Sequence, residues 1–346
     1  MRLLHAERAG GHAHAVAVAV DEVGVAEDAA QRGHLDGRYA RELLRALQAA
    51  GGLDYAVLGE RGRGPELWWE QVTLPRTLRR RGADLVHVPN CFLPLRRPCP
   101  GVVSVLDLAF EAHPEDFTPR TRWKYRTITP RAVRSAERVI AISAFTRDDV
   151  VARYGIHEQK VRVVPLAAAL PEGDATAPSG PPYLLAVGDL RAKKNLRRLV
   201  RAFASLRAEG REHRLLLAGA DAGEGAALHG DGVELLGYVD DARLDALLRG
   251  AAALVHPSLY EGFGLVVLEA MARGTPVVAA DTTALPETAG GAAALCDPLD
   301  PADIARAIRA VLDDPERYAE RGRARAAAFS WERTAASTRA VYEELL

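Results

Sequence analysis

Three cysteines, Cys91, Cys99 and Cys296, are all that 346 residues contain. They are too few and too scattered for a disulfide framework or a thiolate zinc cluster, and they point to reduced thiols in a cytosolic protein. No run of about 20 apolar residues occurs, so no spanning helix is expected. The apolar N-terminal stretch is broken by Glu7, His12 and His14. It lacks a basic start, a long apolar middle and a small-residue cleavage site. A formal net charge of −1 removes any global basic field for nucleic acid. Arginine-rich helices can still sit on anionic lipid, which leaves peripheral contact at the inner face of a membrane open. His5, His12, His14 and His34 have no ligand-like spacing, so no metal site is expected. After the first strand, QRGHLDGRY does not supply the Gly-x-Gly-x-x-Gly turn that a dinucleotide-binding oxidoreductase needs.

What is present is a globular composition, 48% hydrophobic and 26% charged. The length suits two domains. Short β-branched runs alternate with longer Ala/Leu/Arg patterns. HAVAVAVD (14–21), YAVLGE, DLVHVPN, GVVSVLDLAF, SAERVIAIS and KVRVVPLA read as strands buried on both faces. GRYARELLRALQAA (37–50) reads as a helix. The Pro/Gly/Ser-rich segment 169–182 reads as a linker, and the alternation then restarts at YLLAVGD. This predicts two doubly wound α/β domains, 1–168 and 183–330, facing a cleft at the carboxyl ends of their strands. The last stretch, 331–346, reads as a helix that caps the second domain.

The densest chemistry lies in HPSLYEGFGLVVLEAMARGTPVVAAD (256–281). Gly262 and Gly264 bracket Phe263 between a strand and a helix predicted over 264–273. The N–H groups of Gly264, Leu265 and Val266 then face out at a helix N-terminus, which suits a diphosphate. Glu261 and Glu269 flank that anion site. Carboxylates there are poor phosphate ligands and good acceptors for hydroxyls. A ligand with hydroxyls on both sides of a diphosphate is a nucleotide sugar. Taken alone, the spacing of the two glutamates fits a solvated loop as readily. In the second cluster, AVGDLRAKKNLRRLVRAF (186–203), a strand ends at Gly188 and a helix starts at the N-cap residue Asn195. Lys193 and Lys194, with Arg191 beside them, would neutralise a diphosphate. A solvated basic loop is the competing reading. Arg197, Arg198 and Arg201 read as the helix's wet face.

Together these segments resemble the retaining GT-B glycosyltransferases of family 4, in the mannosyltransferase-like branch. PSLYEGFGLVVLEAMARGTPVVAADTTALPE is similar to their glutamate–seven–glutamate signature, and VGDLRAKKN to their donor loop. GHLDGRYARELLRAL resembles their N-terminal glycine loop and first helix. AERVIAISAFTRDDVVARYGI and KVRVVPLA resemble the segment that closes the first domain. The similarity runs from about residue 14 to the C-terminus.

The resemblance implies that Glu269 bonds the donor's ribose hydroxyls and Glu261 the hydroxyls of the transferred hexose. Phe263, Gly264 and Leu265, after Gly262, would hold the diphosphate with Lys193 and Lys194. Tyr238 and Val239 would cradle the base through their backbone. Gly33 to Gly37 would approach the phosphates from the first domain, and Ser143 would lie by the cleft. Asp107, Glu261 and Lys194 are the candidate catalytic residues. The final helix would cross back to the first domain. No Asp-x-Asp pair occurs, so the divalent ion of the GT-A enzymes is not expected, and no cofactor is needed besides the nucleotide-sugar co-substrate. The expected activity is metal-independent transfer of a hexose, with mannose from GDP-mannose as the leading donor, and with retention. The acceptor would be a saccharide, a lipid-linked glycan or a small molecule.

Two departures stand out. Leu106 occupies the position where the branch commonly has histidine, and Asp189 stands where many members have arginine. Leucine can neither donate a hydrogen bond nor carry charge. These changes keep two alternatives open: a catalytically silent domain that binds a nucleotide sugar or scaffolds a partner transferase, and a nucleotide-sugar epimerase of the same fold. A phosphorylase-like enzyme would need a pyridoxal-binding lysine, and no lysine stands out for that role.

Overall fold

The computed structural model describes residues 14–20, 35–59 and 66–346. Two six-stranded sheets with all pairings parallel organise the chain. The first sheet runs β1 (Ala15–Val20), β2 (Asp54–Gly59), β3 (Leu85–Val88), β4 (Gly101–Val105), β5 (Arg138–Ala141) and β6 (Val161–Val163) in chain order. Their spatial order is β2-β1-β3-β4-β5-β6. The second contains β7 (Tyr183–Val187), β8 (Arg214–Ala218), β9 (Val233–Gly237), β10 (Ala253–His256), β11 (Val277–Ala280) and β12 (Ala294–Cys296), ordered β12-β11-β10-β7-β8-β9. β3, β4, β10 and β11 are buried along their whole length. That burial is why they read as unbroken apolar runs rather than alternating ones.

The helices that matter for the site are α1 (Leu35–Ala50), α2 (Leu74–Arg81), α3 (Pro119–Ser135), α4 (Ala144–Tyr154), α5 (Leu196–Ala208), α6 (Asp241–Gly250), α7 (Leu265–Ala272), α8 (Leu285–Ala289), α9 (Pro301–Asp313), α10 (Pro315–Ala326) and α11 (Trp331–Glu343). The strand expected through GVVSVLDLAF stops at Val105. The Asp107 carboxylate takes the Ala109 N–H at 2.9 Å, and Ala109–Ala112 coil into a helical turn. Segment 169–182 has no regular structure but is tied to the second unit. The buried Asp245 accepts from Gly173 N–H, Arg249 and Arg273, and Arg273 also donates to Leu170 O.

The local reading of 331–346 as a cap on the second domain gives way to the crossing back that the resemblance implied, because α11 lies against α1 of the first sheet's layer. Trp331 Nε1 donates to Ala168 O at 3.1 Å, and Thr334 Oγ1 to Pro165 O at 2.8 Å. Glu344 pairs with Arg138 and Arg162. Further along the helix, Tyr342 OH lies 2.6 Å from His87 Nδ1, and His87 Nε2 lies 2.8 Å from Ser104 Oγ. All three side chains are buried.

Burial pushes the His87 imidazole down to about 3. The unfolded chain takes that proton near its ordinary 6.5, so protons favour unfolding between the two values. The contribution is complete above about pH 6.5 and is lost progressively as the pH falls, by roughly 5 kcal/mol at the acid end. Urea unfolding followed from pH 7 to pH 4 should show this slope. His87→Gln should flatten it.

Candidate active site

A cavity of about 530 Å³ opens between the carboxyl ends of the two sheets. Leu106 and Asp107 follow β4. Gly188 and Asp189 follow β7, Gly219 and Ala220 follow β8, and Tyr238 and Val239 follow β9; all line it. Lys193, Lys194 and Glu261 complete the wall on the second unit, and Arg38 enters from α1.

The loop after β7 is shaped by glycine. A Cβ on Gly188 would come 2.8 Å from Lys194 Cε, so its absence lets Lys194 fold back over the strand end. The loop then makes a one-turn helix over Ala192–Lys194. Lys193 O accepts from Leu259 N–H at 2.8 Å, which ties this loop to the loop after β10. Asn195 does sit at the start of α5, with φ of 60°. Its side chain is not the helix cap that its position suggests. The amide donates instead to Pro257 O at 3.0 Å and Pro298 O at 2.6 Å.

Lys194 Nζ lies 2.6 Å from Glu261 Oε1, and His256 Nε2 lies 3.1 Å from the same oxygen. Lys193 Nζ is 3.6 Å from Asp107 Oδ2 on the opposite unit. Burial raises the Glu261 carboxyl, but Lys194, His256 and Lys193 outweigh it and hold the group well below the ordinary carboxylate range. Burial likewise opposes charge on Lys193, yet Asp107, Glu261 and Asp116 raise its value. His256 is pushed down, first by burial and then by the two lysines. The cluster is therefore an anionic Glu261 and a cationic Lys193 beside a neutral His256.

Glu269, on α7, lies behind this layer. Arg38 Nη1 donates to its Oε1 at 2.6 Å, and Arg38 Nη2 to Asp241 Oδ1 at 2.8 Å. Glu269 is 2% exposed, and its burial raises its carboxyl against the pull of Arg38. One guanidinium from α1 thus ties two carboxylates of the second unit. Sequence reading missed Arg38, Asp241 and His256. The available signals were an arginine directly after Gly37 and a histidine five residues before Glu261.

The remaining sequence-derived candidates lie where the units touch. Ser143 is buried. Its Oγ donates to Gly262 O at 2.6 Å while accepting the Thr146 N–H that opens α4. Phe263 is buried against Phe329, and its carbonyl accepts from Thr288 Oγ1. Gly264 has φ of 89°, and a Cβ there would meet Leu285 Cδ2 at 2.6 Å. Leu265 begins α7, where first-turn N–H groups lack helical partners. Neither these four nor Gly262 border the cavity. Gly37 is buried in α1, and Gly33 lies outside the described residues.

Gly262 is where a side chain is least tolerable. A Cβ would overlap the Leu106 carbonyl oxygen across the interface and lie 2.9 Å from Asp107 Cβ. Gly262→Ala should force the units apart. Small-angle scattering should show a larger radius of gyration, and transfer should fall at least tenfold. An unchanged radius with full activity would refute the contact's importance.

Comparison with known proteins follows the same division. Residues 52–168 match the model of Glycosyltransferase Family 4, and residues 173–327 that of Glycosyl transferases group 1. The chain is 31% identical over 285 residues to the O-antigen chain mannosyltransferase B of Escherichia coli, covering 75% of this chain and 74% of that protein. It is 35% identical over 246 residues to the glycogen synthase of Mycobacterium tuberculosis, covering 61% of this chain and 55% of that one, and so spans about half of the latter's length. Its fold matches that of the sucrose-phosphate synthase from Thermosynechococcus elongatus with a TM-score of 0.76 at 24% identity, over 96% of this chain and 99% of that chain. A strand-end cleft between two parallel-sheet units, together with these matches, makes the chain a member of the family 4 glycosyltransferases, with the GT-B fold.

Proposed function

We propose that the cleft takes a nucleotide sugar and transfers its hexose to a saccharide or lipid-linked glycan with retention, without a metal ion. GDP-mannose is the leading donor. The observation that carries this reading is the pair of adjacent lysines in the cavity, Lys194 against Glu261 and Lys193 against Asp107. The extended similarity to a mannosyltransferase supports the sugar.

In this reading the acceptor hydroxyl attacks the anomeric carbon on the face that the diphosphate leaves. The bond from that carbon to the leaving oxygen breaks, the new glycosidic bond forms, and the acceptor's proton passes to the departing diphosphate. Negative charge grows on that group, so Lys193 and Lys194, both in the cavity wall, stabilise the transition state more than the ground state. Glu261 is ionised and engaged by Lys194 and His256. That suits it to accept bonds from sugar hydroxyls rather than to attack carbon. Glu269 would take ribose hydroxyls, and the backbone of Tyr238 and Val239 the base.

Leu106 favours one other reading, a binding domain without turnover. It lines the cavity and is 5% exposed, so it presents only methyl groups there. A panel of nucleotide sugars with EDTA present separates the two. Release of nucleoside diphosphate with one donor, and an α-linked product from an α-linked donor, is expected. Binding without release under varied acceptors would favour the silent domain. Leu106→His would then be expected to raise release.

A further inference from the structure

We infer that the outer face built by α2, the turns before it and the start of α3 docks on an anionic lipid bilayer. Segments 66–81, 95–97 and 119–135 carry twelve arginines and lysines against two glutamates, in a chain whose net charge is −1. Lys124 is neutralised by the two glutamates, Arg97 by Glu137 and Arg126 by Glu111, so the outward charge rests on the other arginines. Both Glu66 and Glu70 pair with Lys124, at 2.7 Å and 3.0 Å. Arg76, Arg79 and Arg80 stand exposed on α2, and Arg120 on α3. Arg76, Arg79 and Arg80 also line one shallow hollow with Thr73, of a size to take a phosphate headgroup.

The same face holds four of the large apolar side chains that the described residues leave exposed. Trp68 is 58% exposed and Trp123 62%, with Leu67 and Leu95 beside them. The segments adjoin. Lys124, next to Trp123, reaches Glu66 and Glu70 on either side of Trp68, and Leu95 N–H donates to Gln71 Oε1 at 3.0 Å. Tryptophan with arginine is the pairing that a membrane interface selects, because indole sits among headgroups while guanidinium meets phosphate. A nucleic acid would use the arginines but gain little from leucines held outward. This occupant also suits the cleft. Phe117 and Tyr125 line the cavity, and Tyr125 meets Phe92 edge to face while Lys124 lies over the Phe92 ring. The cavity thus opens beside the docking face, where an acceptor carried in the bilayer would arrive. Among the described residues no helix is long and apolar enough to cross a membrane, so the contact proposed is peripheral.

The test is co-flotation of the full chain with vesicles of phosphatidylcholine alone and of equal parts phosphatidylcholine and phosphatidylglycerol. Each basic side chain near an anionic surface is worth about a factor of five in binding constant. Arg76→Gln/Arg79→Gln/Arg80→Gln should therefore cut binding to the anionic vesicles by at least tenfold. Trp68→Ala/Trp123→Ala should cut it severalfold, leaving the thermal midpoint and nucleotide-sugar binding unchanged in both variants. High salt should release the protein. Absence of binding to anionic vesicles would overturn the proposal. So would equal binding to both vesicles, or binding to heparin or DNA that matches the vesicles and ignores the tryptophans. The readout does not depend on activity, so the donor assignment can fail without touching it.

Discussion

Lys194→Ala should lower kcat for sugar transfer by two to three orders of magnitude, with EDTA present throughout. In the proposed mechanism this ammonium meets charge that exists only as the diphosphate departs. Removing one such preorganised donor costs about 10²–10³ in rate. The same substitution has a structural consequence. Lys194 is the partner, at 2.6 Å, of Glu261, whose side chain is only 13% exposed. Stripping a buried carboxylate of its nearest cation costs about 3 kcal/mol, softened here because His256 and Lys193 remain close. The two consequences separate in one further variant. Lys194→Ala/Glu261→Gln should regain most of the lost stability, since the stranded charge is gone, and regain no activity. If activity returned with stability, Lys194 would be an architectural residue and the charge-stabilising role would fall. Denaturant midpoints and single-turnover rates on the same preparations decide the matter.

Glu269→Ala carries the second large effect, on binding rather than on chemistry. If Glu269 accepts the two ribose hydroxyls, its loss removes charge-assisted bonds worth about 1.5–3 kcal/mol each, and donor Kd should rise about a hundredfold. Glu269→Gln keeps an acceptor oxygen and should lose about tenfold less. The alanine variant also strands Arg38, a buried guanidinium left with Asp241 alone. Unfolding of wild type, Arg38→Ala, Glu269→Ala and the double variant closes a thermodynamic cycle. A coupling of about 2 kcal/mol is expected for a buried pair in direct contact. Additive losses would mean that the 2.6 Å contact contributes little to holding the units together. A Kd that stays level in Glu269→Ala would remove this residue from the donor site.

The fold could be read from the sequence because its parallel strands are buried on both faces. AVAVAV, LVHV and VVAA announce themselves without an alternating pattern. The loops at Gly188 and Gly262–Gly264 could be read because glycine between strand and helix marks a close approach, and each glycine meets one. Other elements stayed hidden for physical reasons. α3 carries six basic residues and an internal Pro130, so its apolar stripe shrinks to Ile128, Ala132 and Val133. Arg38 could not be tied to Glu269, because 231 residues separate them and the pair exists only once the units face each other. The engagement of Glu261 by His256 needed the turn after β10, which brings residues five apart to 3.1 Å. The return of α11 to the first unit was legible only through the resemblance, since Tyr342 meets His87 across 255 residues and no local pattern encodes that contact.

The transfer proposed for this enzyme requires that the donor bind in the lysine-lined cleft. Calorimetric titration of GDP-mannose and the other common nucleotide sugars, in EDTA, into wild type and Lys193→Ala/Lys194→Ala addresses it. Saturable one-site binding of at least one donor to wild type is expected, and binding at least a hundredfold weaker in the double variant, whose thermal unfolding stays cooperative. Equal affinity in both proteins, or no binding of any donor to the wild type, would contradict it.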